Sequence, residues 1–228
     1  MTLPDGRGGP HAFVADFEVP VLSPVDHQHL ARSLRLRVGD PLTVSDGYGL
    51  WMPCQFTAVG EPLKPAGDAV LVPEPRKTIE VGFVPVKGAK AELVVAGLTE
   101  LGVDRISLLM SERSVVRWDT ARAERNHERL LRVVRESGMQ SRRVRLPELS
   151  EVREVSQFGE AAAADDTRVL LADPVASADA LLGSGQLGPA RTALLVGPEG
   201  GWSDSERARF THHVRLCLLY TSPSPRDS

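Results

Sequence analysis

Leu194-Leu195-Val196-Gly197-Pro198-Glu199-Gly200-Gly201-Trp202-Ser203-Asp204-Ser205-Glu206 decides how this chain is read. The continuous apolar run Thr192–Val196 has the character of a strand buried on both faces, as in a parallel sheet. A glycine-rich turn follows, and Ser203 with Glu206 has the spacing of a capping box that starts a helix. In an open α/β sheet, ligands sit in the crevice beyond the carboxyl ends of strands. Glycines there let main-chain N–H and C=O groups come close to a ligand. A helix start favours anions, yet Glu199 puts a carboxylate into the turn and no Gly-Lys-Ser/Thr continuation follows. A ligand with amine, hydroxyl and sulfonium groups therefore fits better than a phosphate. The bland alternative is a plain strand-to-helix turn, which a lone Gly-Gly would favour and this longer motif does not.

Working back from the turn, Arg168–Ala172 is a second buried-strand pattern, and Ile79–Val84 and Ile106–Met110 are two more. Ala89–Leu101 carries Val94, Leu98 and Leu101 at i, i+4, i+7 with Gly102 as a stop, which predicts a helix. Asp119 is placed to cap a long helix running to about Gly138, with Leu130, Val133, Val134 and Ser137 on one face. Strands alternating with helices predict a mostly parallel α/β sheet.

The first 73 residues have a different texture. Ala12–Val14, Pro41–Val44 and Val70–Val72 are short apolar stretches divided by the turn signals Gly39-Asp40, Asp46-Gly47, Gly60 and Pro65-Ala66-Gly67. One helix, opened by Ser23-Pro24, interrupts them, and a small β-barrel closes such strands without bare edges. Val72-Pro73-Glu74-Pro75-Arg76-Lys77 reads as an extended joint between the two regions.

The chain has 228 residues and a formal net charge of -3, so any nucleic-acid contact must come from a local basic surface. Four of the 27 Lys and Arg residues are lysines, which leaves 23 arginines, a bias that composition alone explains except where arginines cluster. Cys54 and Cys217 suit neither a disulfide framework nor a zinc site, and no metal is expected. No apolar run approaches a membrane span and the N-terminus has no signal-peptide core, so the expectation is a soluble cytoplasmic protein without a membrane partner.

Two polar groupings compete for a role. Arg125, Arg129 and Arg132 recur along the long helix, and a solvated face with acidic partners accounts for them as well as a phosphate-contacting stripe does. The Arg142-Arg143-Arg145 cluster has no acidic neighbour until Glu148, which favours contact with RNA or an active site. Lys87 and Arg113 fall just after strands, where such a fold keeps its site. His29, alone, reads as a packed or surface histidine.

Taken in order, these stretches resemble the RsmE-type 16S ribosomal RNA uridine-N3 methyltransferases. The resemblance rests on His29-Leu30 through Leu34-Arg35-Leu36-Arg37-Val38-Gly39-Asp40, Asp46-Gly47, Lys87, Thr99-Glu100-Leu101-Gly102-Val103 and Glu112-Arg113-Ser114. It continues with Gln140-Ser141, Arg143 and Pro147, and ends at Gly197-Pro198-Glu199-Gly200-Gly201. It implies a PUA-like RNA-holding barrel over residues 1–73 and a SPOUT domain with a trefoil knot over 78–215. It also implies S-adenosylmethionine as methyl donor, a homodimer, and 16S ribosomal RNA of the small subunit as partner. Leu171, Ala172, Gly197, Pro198, Glu199, Gly200 and Gly201 are then expected to hold the donor. Arg143, Arg113 and Lys87 are the expected catalytic cations, and His29, Arg32, Arg35, Gln140, Arg142 and Arg145 the expected RNA contacts. An inactive RNA-binding module of the same build, a phosphate-binding nucleotide enzyme and a SPOUT enzyme with another RNA target are the alternative readings.

After Glu206 the chain departs from that family, which continues with a strand, a Leu-Gly turn and a Glu-Thr-Ala helix start. Residues 216–228, with Ser-Pro repeats and no helical period, read as a non-native tail replacing the knot-closing segment. The expectation is a crevice lacking one wall, and weak S-adenosylmethionine binding by this chain.

Overall fold

The computed structural model describes residues 4, 8–86, 88, 90–174, 176 and 190–215. Lys87 and the tail 216–228 therefore lie outside the described residues. The chain forms two compact units that interleave in sequence: 1–78, 88–106 and 118–151 make the first, and 79–87, 107–117 and 152–228 the second.

In the first unit, β1 (His11–Phe13), β2 (Pro41–Ser45), β3 (Leu50–Gln55) and β4 (Lys64–Pro65) form a sheet in that order, with β5 (Val70–Leu71) also pairing β3. β1 runs parallel to β2, and the β2–β3 pair is antiparallel. Ala12, Leu42, Val44, Met52 and Cys54 point inward and join Leu30 of α1 (Pro24–Arg32) in one apolar core. Ser23 caps α1 by accepting from the Asp26 N–H, as the Ser-Pro signal predicts. A buried polar group sits inside this sheet: the His11 ring bonds the hydroxyls of Thr43 and Ser45. Burial pushes its pKa down from 6.5 to about 4, so the ring is held neutral.

Two helices share that unit, α2 (Lys90–Leu101) and α3 (Thr120–Gln140). Asp119 caps α3 by accepting from the Arg122 N–H, and Leu130, Val134 and Ser137 are its buried face, as expected. The helix α2 packs by a face other than its most apolar one. Its buried stripe is Ala91, Val95 and Thr99, whereas Leu93 and Leu101 are 73% and 83% exposed and Val94 is exposed too. The apolar spacing located the helix, and Ala91, Val95 and Thr99 take its packed side. Gly102 ends α2 at φ +87, and its missing Cβ makes room for the Arg143 guanidinium. In the same unit β8 (Glu148–Leu149) pairs in parallel with the first residues of β7 (Arg105–Met110).

The second unit carries the rest of β7 and β6 (Thr78–Phe83), β9 (Arg153–Glu154), α4 (Val155–Ala164), β10 (Arg168–Ala172), β11 (Arg191–Val196), α5 (Asp204–Ala208) and β12 (His212–Val214). Its strand order is β12-β10-β11-β6-β7, with β9 on β7. β10 runs parallel to both β11 and β12. Leu109, Phe158, Leu171, Ala193, Leu195 and Trp202 are the heart of its core. β12 corrects the sequence reading, which saw no strand after Glu206: His212–Val214 align with Leu170–Ala172. α4 was also unread, because Glu154 rather than Ser or Asp makes its capping box with Gln157.

Candidate active site

The turn Gly197–Gly201 leaves β11 at the carboxyl end of the sheet and delivers the chain to α5. Gly201 has φ +70 and its N–H bonds the Pro198 carbonyl, which closes the turn. Trp202 is the support beneath it. The indole is 1% exposed and donates from Nε1 to the Ala172 carbonyl at 2.9 Å, tying the turn to the end of β10. Gly197 must be glycine for this reason: a Cβ there would lie 2.8 Å from the indole ring. Pro198 is buried, while Glu199 and Gly200 are exposed.

The turn is held from a second side by Glu206. Its carboxylate is buried and accepts from the Ser203 N–H at 2.9 Å, closing the capping box. It also accepts from the Ser111 hydroxyl at 3.1 Å and the Glu112 N–H at 3.0 Å, both just past β7. Ser205 bonds Glu112 at 2.7 Å, and Arg113 donates to the Gly200 carbonyl at 3.3 Å. Hydrogen bonds from Ser205 and Ser203 hold the Glu112 carboxyl below its ordinary pKa. One carboxylate thus binds the Glu112-Arg113-Ser114 motif to the glycine turn. The capping-box spacing gave half of that role; the other half links residues about a hundred positions apart and has no local signal.

Asp173, buried just after β10, accepts from Arg207 Nε at 3.0 Å and from His213 Nδ1 at 3.4 Å. His213 Nε2 faces the carbonyls of Phe210 and Arg207. These contacts bring α5 and β12 against the end of β10. A hollow of about 600 Å³ lies at the opposite, amino-terminal end of β10, around Arg168, Phe210 and His212. The carboxyl ends are the functional side of such sheets, so the glycine turn and not this hollow is the candidate site.

Of the residues singled out in the sequence, the second unit gathers Leu171, Ala172, Gly197–Gly201 and Arg113. Leu171 is a core side chain, so only its main chain can face a ligand. The first unit holds the others except Lys87, which lies outside the described residues. Gln140 ends α3. Arg142, at φ +54, donates to the Gly9 carbonyl, and Arg145 makes a fork to the Val72 carbonyl at 2.8 and 3.3 Å. Arg143 donates to the Arg145 carbonyl. Burial lowers the pKa of its guanidinium, and Asp104 opposes that shift. These arginines line a cleft of about 500 Å³ together with Pro73, Pro75, Glu100 and Asp104. His29, Arg32 and Arg35 are exposed on and after α1. Along α3, Arg129 pairs with Glu92 at 3.0 Å, which favours the solvated-face reading of that stripe.

Comparison with known proteins adds to this geometry. The model of the RNA methyltransferase domain family matches residues 73–220. The ribosomal RNA small subunit methyltransferase E of Mycobacterium bovis is 31% identical over 191 residues, spanning 80% of this chain and 71% of that protein. Among solved structures, a methyltransferase from Legionella pneumophila, in complex with the cofactor SAM, superposes with a TM-score of 0.76 at 23% identity, covering 91% of this chain and 88% of the other. The ribosomal RNA small subunit methyltransferase E of Neisseria gonorrhoeae, bound to S-adenosyl methionine, gives a TM-score of 0.75 at 21% identity, with 91% and 89% covered.

Proposed function

The chain belongs to the RNA methyltransferase domain family, within which it groups with the ribosomal RNA small subunit methyltransferase E proteins, and on that premise we propose that it transfers a methyl group from S-adenosylmethionine to N3 of a uridine in 16S ribosomal RNA. The observation that carries this reading is the glycine turn at the carboxyl ends of β10 and β11, locked by Trp202 and Glu206. The residues present fit the donor. The turn offers main-chain groups, an exposed Gly200 and an exposed carboxylate at Glu199, a set suited to hydroxyl, amine and sulfonium groups. When bound, S-adenosylmethionine supplies an electrophilic methyl group.

The chain's own residues must orient that group and prepare the base. Uridine N3 carries a proton and is a poor nucleophile while neutral, so catalysis requires its removal or stabilisation of the resulting anion. A fixed cation near the base oxygens does the second. Arg143 is the leading residue for that role, with Arg113 and Lys87 after it. Arg113 is oriented by its bond to Gly200. Gly197–Gly201, Leu171 and Ala172 hold the donor by main chain, and His29, Arg32, Arg35, Gln140, Arg142 and Arg145 contact RNA.

In this reading residues 1–73 are a PUA-like barrel and 78–215 an incomplete SPOUT domain whose trefoil-knot segment is truncated or replaced. The enzyme works as a homodimer in the cytoplasm, and the open apolar face of α2 at Leu93, Val94 and Leu101 supports a second copy as its cover. Among the described residues, no helix is long and apolar enough to cross a membrane.

The test is methyl transfer. Small ribosomal subunits from a strain lacking the modification, incubated with a full-length version of the protein and labelled S-adenosylmethionine, should gain one methyl group at a uridine N3, read by nucleoside mass spectrometry. Label on another base, or none, would sink the assignment. Arg143→Ala retaining full transfer would remove Arg143 from its role.

A further inference from the structure

Tyr48 is the most conspicuous side chain that the proposed function leaves unused. It is 79% exposed, at the tip of the hairpin joining β2 to β3. An exposed aromatic ring is ordinary on a loose loop, but this tip is fixed from three directions. Asp46 Oδ1 accepts from the N–H groups of Tyr48 at 2.6 Å and Leu50 at 3.1 Å. Leu146 N–H donates to the Gly47 carbonyl and Gly49 N–H to the Val144 carbonyl, both at 2.9 Å. Val72 N–H donates to the Gly49 carbonyl. Gly47 and Gly49, at φ +82 and +112, bend the chain so that the ring stands on the summit. The fold fixes the backbone beneath a ring that contributes almost nothing to its own core.

The surroundings indicate what the ring is for. The Arg145 guanidinium lies against Gly49, where a Cβ would come within 2.6 Å of its Nη2. Arg145 and its neighbours Arg142 and Arg143 line the adjoining cleft. Arg142 and Arg145 each spend two donors on a single carbonyl, and Arg145 Nη1 also lies 3.9 Å from the exposed carboxylate of Glu74. A guanidinium has five, so donors remain for a phosphate or a base edge. A solvent-facing aromatic ring on a fixed backbone beside arginines matches the way proteins hold unpaired RNA bases, by stacking them and neutralising the strand next to them. A hairpin tip whose backbone is fixed in advance also loses little freedom on binding.

We propose that Tyr48 is a stacking platform for an unpaired base of the RNA substrate, with the Arg142–Arg145 cleft receiving the strand beside it. This rests on the RNA-directed reading above and adds to it a contact outside the glycine turn. Because the ring is exposed, replacing it leaves the fold intact, and a thermal melt of each variant checks this.

The experiment measures fluorescence anisotropy of a labelled RNA single strand of about ten nucleotides with the full chain and with Tyr48→Ala, Tyr48→Phe and Tyr48→Trp. Tyr48→Ala should weaken binding about tenfold, while Phe and Trp, which keep a ring, stay within about twofold of the parent. Equal binding by Tyr48→Ala and the parent would overturn the proposal, as would Phe behaving like Ala, or a parent chain that binds no single strand and so keeps the ring for a protein surface. Methyl transfer to small subunits, measured in parallel, separates the two readings. Transfer with no Tyr48 effect on binding removes only the platform. A ring-dependent grip on RNA with no transfer removes only the enzymatic assignment.

Discussion

The glycine turn of the second unit and the arginine cleft of the first use side chains in opposite ways. At the turn, the proposed ligand surface is mostly main chain, and the side chains that matter, Trp202 and Glu206, are buried beneath it. At the cleft, the side chains that face outward are also the fasteners: Arg142 and Arg145 clasp carbonyls of residues far away in sequence. Changes under the turn should therefore act through stability and geometry together. Changes in the cleft should separate into a small stability term and a larger effect on ligands.

The sharpest way to break this contrast is Glu206→Ala. It strands the Ser203 and Glu112 N–H groups and the Ser111 hydroxyl in a buried site, at a loss of about 4 kcal/mol; urea unfolding measures it. A loss near zero would mean that the turn stands without its carboxylate.

The next test concerns the first unit and pH. The His11 pKa is about 4 in the fold against an ordinary 6.5, so the unfolded chain binds the extra proton between those values. Stability conferred by the neutral ring is complete above about pH 6.5 and is lost as pH falls towards 4, a total of about 3 kcal/mol. A His11→Asn variant, compared with the parent in urea titrations across that window, should lack this part of the slope.

Smaller still, Gly197→Ala drives a methyl group into the Trp202 ring and should destabilise by about 2 kcal/mol, seen as a lowered Tm, and should weaken S-adenosylhomocysteine binding in calorimetry. The smallest effect belongs to the cleft. Arg145→Met keeps an aliphatic stem but loses the fork to Val72, for about 1 kcal/mol. Its loss of RNA affinity should exceed that figure. If stability fell by more than RNA binding did, the cleft would be scaffold and the contrast would fail.

How much was legible in the sequence follows the same division. Strand, glycine turn and boxed helix are contiguous, so local pattern sufficed for Thr192–Glu206. The Asp119 cap and the Leu130–Ser137 face were readable for the same reason. Glu206 reaching Ser111 and Glu112, and Trp202 reaching Ala172, depend on strand order, which no local pattern encodes. On α2 the periodicity located the helix but not its packed stripe, because Ala91 and Thr99 carry little hydrophobic signal. The arginine cluster was legible as a cluster, while its carbonyl partners at Gly9 and Val72 were not.

Trp202 has one more consequence. Its indole is sealed beneath the turn and bonded to the end of the adjacent strand, whereas Trp51 sits in the other unit and Trp118 is only half-buried. With phenylalanine at those two positions, the protein would carry a single built-in fluorophore, its emission colour tuned by whatever settles on the glycines above it.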